Sequence, residues 1–193
     1  MATSLQQICK SFGERKRSPF LLAIYCLLVE NVGRGAMTHL ERMNRQMQVL
    51  ISDHEKPPTA SLNDKLSAIL EEGLVELQNC IVLARFKDSA SHVTVADCHD
   101  ETGYECFLNH LHIGDYAKGA SLAEQLGQGQ LFMSELARML KTLYPHFSFQ
   151  LILSCSESEC TVRFHKLRAN QNWVGDLEGY KEEALFLITV PAS

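Results

Sequence analysis

The residues best suited to chemistry lie in one stretch, DCHDETGYECFLNHLH, residues 97–112, which carries two cysteines, three histidines and four carboxylates. Imidazole nitrogens are metal ligands. An H-x-H pair on a β-strand puts both rings on one face, because strand side chains alternate with period two. If residues 92–98 fold against 104–113 as a hairpin about residue 101, His92 faces His110, and His112 lies two residues further on the same face. His92, His110 and His112 then make a three-ligand zinc site with an open position, and Cys98 or Cys106 is a possible further ligand. A slip of one residue in register dissolves the triad. The other candidate chemistry is a thiol nucleophile, since Cys98, His99 and Asp100 are consecutive. A catalytic cysteine normally meets its histidine through the fold, so adjacency counts against it.

No C-x-x-C or H-E-x-x-H spacing supports a metal centre, and there is no P-loop, nucleophile elbow or kinase signature. GQG, residues 127–129, lacks the strand and the ribose-binding acid of a dinucleotide site and is expected to mark a bend in a helix. The plainer reading of residues 97–112 is therefore an ordinary hairpin with an acidic tip. On that reading no cofactor and no catalytic residue is expected. SESE (156–159) is a second acidic turn, Glu182 and Glu183 precede the last strand, and Trp173 is either a loop anchor or an interface residue.

Periodicity says which elements position these groups. Ser18 and Pro19 open an apolar helix (PFLLAIYCLLV, 19–29), and Gly33 and Gly35 break it. Met37, Leu40, Met43, Met47, Leu50 and Ile51 then recur at helical spacing. HEKPPTA (54–60) is a turn-rich linker. Ser61 with Asp64 caps a helix carrying Leu62, Leu66, Ile69, Leu70, Leu74 and Leu77. Residues 81–86, 92–98 and 104–113 read as three strands, with Gly103 at a positive φ in the turn. Ser121 with Glu124 caps a helix that Pro145 ends. Residues 147–155 and 159–167 form a second hairpin, and ALFLITV (184–190), which has no charge, is a central strand. The expected fold is α+β: an N-terminal helical segment (1–56), then a body (61–193) ordered βββ-α-ββ-β, mostly antiparallel, with helices on one side.

The 193 residues are 46% hydrophobic and 21% charged, as in a globular domain. Residues 1–60 hold eight Lys/Arg against five Asp/Glu, net +3, whereas residues 61–193 hold ten against eighteen, net -8. An acidic body disfavours nucleic acid and suits a basic protein partner. Seven cysteines without framework spacing fit reduced thiols in the cytoplasm. The apolar run at 19–29 is far shorter than the roughly 20 residues of a membrane span, so no membrane partner is expected. That helix and the methionine stripe fit burial within one chain or across a homodimer.

The element order is similar to that of acidic dimeric type III secretion chaperones, from which the N-terminal helices and the last strand depart. Size, acidity and the missing catalytic signature also resemble bacterial toxin-neutralising immunity proteins. That second resemblance implies a non-enzymatic inhibitor that covers the basic active cleft of a toxin. Asp97, Asp100, Glu101, Glu157 and Glu159 at the hairpin tips are the expected contacts. A small metal-dependent enzyme or metal sensor built on the histidine triad is the alternative.

Overall fold

The computed structural model describes residues 39–53 and 61–193; the apolar segment 19–29, the break at Gly33 and Gly35 and the linker 54–60 lie outside them. Strand β1 (Leu40–Met43) leads through Asn44 into helix α1 (Arg45–Asp53). Helix α2 (Asp64–Glu72) is followed by a separate hairpin, β2 (Leu74–Leu77) and β3 (Cys80–Leu83). Helix α3 (Glu101–Leu108), the two-residue strand β4 (Leu111–His112) and the short helix α4 (Ile113–Tyr116) lead to the long helix α5 (Leu122–Leu143). Strands β5 (Phe149–Cys155), β6 (Cys160–Lys166) and β7 (Ala184–Val190) complete a five-stranded sheet in the order β1-β7-β5-β6-β4. All its pairings are antiparallel, so the fold is α+β with a mostly antiparallel sheet.

The uncharged sequence of β7 explains its place. Flanked by β1 and β5 and buried along nearly its whole length, it offers water no position for a charge. Phe149, Leu151 and Leu153 of β5, Val162 and Phe164 of β6, and Phe186, Ile188 and Val190 of β7 turn one face toward Phe132, Met133, Leu136, Ala137 and Leu140 of α5. Their spacing of three and four along α5 is the apolar stripe expected of a core-facing helix. Ser121 and Glu124 form the expected capping box, and the helix ends just before Pro145. Gly129 lies inside the unbroken helix α5. A Cβ there would stand 2.7 Å from Leu153 Cδ1, so the glycine lets α5 lie close on β5.

Three local expectations are overturned. Leu40–Met43 is a strand and not part of a methionine-striped helix: each residue pairs with β7, from Leu40↔Thr189 to Met43↔Phe186. The helix opening near Ser61 is capped by Asn63 and stops at Gly73, because Gln78 and Asn79, with φ of 51° and 62°, turn Leu74–Leu77 back on β3. The hairpin of 92–98 with 104–113 does not form. Thr94 and Asp97 make a capping box on a single 3₁₀ turn, Val95–Cys98, and the Asp100 carboxylate accepts the Gly103 N–H at 2.7 Å to start α3. Gly103 is required by space and not by positive φ, since a Cβ would lie 2.2 Å from the Cys98 carbonyl oxygen. His99, at φ 71°, takes the left-handed turn instead.

Helix α3 does something no strand could do there. Its Glu105 and Asn109, four residues apart and fully buried, sit between the outer edges of β3 and β6. Glu105 accepts the N–H groups of Ile81 and Lys166, each at 2.7 Å. Asn109 accepts the Leu83 N–H at 3.0 Å and donates to the carbonyls of Ile81 and Phe164 at 2.9 and 3.2 Å. Two side chains thus satisfy backbone groups that neither sheet can pair, and so join the sheets. Arg168 balances the buried carboxylate with a two-pronged ion pair, at 2.7 and 3.2 Å.

Candidate functional site

The imidazoles expected on a hairpin arrive by another route. His110 follows the α3 C-terminus and His112 ends β4, and their rings lie side by side, tilted by 39° with centroids 4.4 Å apart. His92 is exposed at the end of a separate 3₁₀ turn, Ser89–Ser91. Among the described residues no group of three His, Cys, Asp or Glu side chains could hold a metal ion, so the structure does not assemble His92, His110 and His112. His112 Nδ1 meets Glu159 at 3.0 Å, which ties β4 to the turn between β5 and β6. Arg163, in the middle of β6, donates from Nη2 to His110 Nε2 at 2.9 Å. Its guanidinium carbon stands 6.0 Å from the Trp173 ring centroid.

Because Arg163 is donor only, His110 Nε2 must be the acceptor and the proton of its neutral ring is on Nδ1. Burial first, then the field of Arg163, push the His110 pKa down to about 4. An unfolded histidine titrates near 6.5, so between about pH 6.5 and 4 the unfolded chain binds the extra proton. The contribution of His110 to stability is then full above about 6.5 and is lost as the pH falls toward 4. Thermal melts across that window should show a declining Tm, with a shallower decline in His110→Gln. Parallel declines in the two proteins would refute this assignment.

The free thiols among the described residues make poor nucleophiles. Burial raises the Cys80 pKa to about 11, and burial likewise raises those of Cys98 and Cys106. Asp100, the would-be orienter of His99, is occupied as the α3 cap. Cys155 and Cys160, cross-strand neighbours at the closed end of the β5–β6 hairpin, are joined in a disulfide, whereas reduced thiols were expected throughout. Their side chains share the main core with α5.

The five expected contact acids fall into two groups. Asp97 is bound by Thr94, Asp100 caps α3 and Glu101 accepts from Gln171 Nε2 at 2.7 Å, so these three carboxylates are engaged locally around the α3 N-terminus. Glu157 and Glu159 are exposed at the hairpin turn, with Glu159 facing His112. Glu157 also lines an open groove of about 360 Å³ beside α1. Val49, Leu50, Leu122 and Ala184 make its floor apolar, while Asp53, Glu157 and Glu182 give its rim three carboxylates against the single cation Arg45. Among the described residues, none of these three acids forms an ion pair. Sequence reasoning flagged Glu157 and Glu182 as separate acids. Nothing in the local sequence reveals that α1 lies beside them, since the chain reaches that place through β1, the partner of the distant β7.

No described helix is long and apolar enough to cross a membrane. The model of the family described as Uncharacterized protein PM0498 matches residues 42–190, from within β1 to the end of β7. No curated protein and no solved structure matches the chain.

Proposed function

We propose, for a chain that belongs to the PM0498 family, a non-enzymatic role in binding and neutralising a basic protein, in the manner of an immunity or inhibitor protein. The observation that carries this reading is the groove beside α1, whose apolar floor and rim of Asp53, Glu157 and Glu182 complement a segment bearing both apolar and Lys/Arg side chains. Glu159 adjoins the rim in sequence, and the overall charge of -5 extends the attraction beyond contact distance. Asp97, Asp100 and Glu101, held by local hydrogen bonds, act in this proposal through their field more than through direct contacts.

The test is a photo-crosslinking side chain at Val49, on the groove floor, in the protein expressed in its host. A single basic protein should be captured, and the double reversal Glu157→Lys, Glu182→Lys should weaken its binding about tenfold or more, most at low salt. Capture of an acidic protein, or capture indifferent to both salt and charge reversal, would refute the electrostatic model.

A further inference from the structure

We propose that Arg163, with Trp173, His110 and Thr161 around it, is a binding site for a carboxylate group of a ligand, separate from the groove beside α1. Helix and sheet take three described arginines partly out of solvent: Arg138, Arg163 and Arg168. Arg138 is paired with Glu135 and Arg168 with Glu105. Arg163 has no carboxylate within ion-pairing distance among the described residues. Its protein partners are neutral: the imidazole of His110 at 2.9 Å and, at the long distance of 3.4 Å, the Thr161 hydroxyl. A guanidinium drawn out of water is normally matched by an anion, because its desolvation is otherwise uncompensated.

The surroundings define the anion. Arg163 Nε has no hydrogen-bond partner among the described residues and is not sealed from solvent, so it offers a planar acceptor an N–H beside the Nη groups that hold Thr161 and His110. Trp173, 43% exposed, offers an aromatic wall beside them. The histidine pair closes another side, and His112 holds Glu159 at 3.0 Å. Glu159 and Glu183 are near enough for their fields to reach Arg163. Those fields oppose a dianion more than a monoanion, so a carboxylate fits better than a phosphate. A carboxylate also matches the two-pronged geometry of guanidinium, which Arg168 already shows with Glu105 in this fold.

Trp173 is the only tryptophan in the chain, so its indole N–H gives one resonance in a ¹H–¹⁵N NMR spectrum. Acetate, N-acetylglycine as a mimic of a peptide C-terminus, and inorganic phosphate are titrated separately at constant ionic strength, balanced with chloride. A saturable shift with either carboxylate is expected, abolished in Arg163→Gln and weakened about tenfold in Arg163→Lys, which keeps the charge but loses the fork. N-acetylglycine binding more tightly than acetate would identify a chain terminus as the source of the carboxylate; equal binding would identify an isolated carboxylate. Should Arg163→Gln lose its native far-UV circular dichroism, Arg163→Lys carries the comparison alone. No saturable shift, a shift unchanged in the variants, or phosphate binding more tightly than both carboxylates would overturn the proposal.

Discussion

Glu105→Ala is expected to lower the free energy of unfolding by about 3–5 kcal/mol, a large part of the roughly 5–15 kcal/mol available to a natural domain. The substitution strands three groups together. The N–H groups of Ile81 and Lys166 lose their acceptor inside the protein, and Arg168 is left beside a methyl group with no countercharge. Asn109→Ala should cost about 2–4 kcal/mol by orphaning the Leu83 N–H and the carbonyls of Ile81 and Phe164. Urea denaturation checks both values. Adding Arg168→Met to Glu105→Ala should recover part of the loss, because it removes the stranded charge. A loss within about 1 kcal/mol for Glu105→Ala would show that water reaches those backbone groups after all, and that the two sheets do not depend on α3 for their junction.

These two residues also show what local sequence could and could not reveal. Reading 104–113 as a strand places Phe107, Leu111 and Ile113 on one face and Tyr104, Leu108, His110 and His112 on the other. Tyr104 and Leu108, or Glu105 and Asn109, are equally well spaced for one face of a helix, and a short segment supports both periods. The deciding signal was upstream, in Asp100 three residues before Gly103 and in Thr94 three before Asp97, each a helix-start pattern. The capping box at Ser121 and Glu124 starts its helix where expected, whereas the cap expected at Ser61 is Asn63; the uncharged 184–190 was found as a strand within the sheet. The β2–β3 turn was missed because Gln78-Asn79 carries no glycine at positions that require positive φ. The candidate sites were less legible still. Arg163 lies in ECTVRFHKL like any outward residue of a strand, and only the approach of His110 and Trp173 from other parts of the chain makes it unusual.

Gly103→Ala is expected to be the most damaging of the small substitutions, at about 3 kcal/mol or more. The added methyl would fall 2.2 Å from the Cys98 carbonyl oxygen, a backbone atom with no rotamer to escape into. Relief requires the 3₁₀ turn and the first turn of α3 to separate, which breaks the Asp100 cap and tilts Glu105 out of register with both strand edges. By contrast, Gly129→Ala meets a leucine methyl that can rotate, and should cost less, about 1–2 kcal/mol. Thermal melts of the two alanine variants measured together decide the order. If Gly129→Ala proves the worse, the packing of α5 on β5 is less forgiving than the turn before α3.

The position of β7 bears on how the protein is made. Its partners are β5 and β1, the latter far earlier in the chain, as in the pairing of Leu40 with Thr189. β1, α5 and the β5–β6 hairpin all precede Ala184–Val190 in order of synthesis, and the sheet closes only when β7 joins it. Until then β1 has no sheet to join, and one long edge of β5 stays open to whatever strand is nearby, including one on a neighbouring nascent chain. β7 therefore acts as a keystone, and deleting Ala184–Val190 would remove one strand, leave β1 unpaired and open one edge of β5.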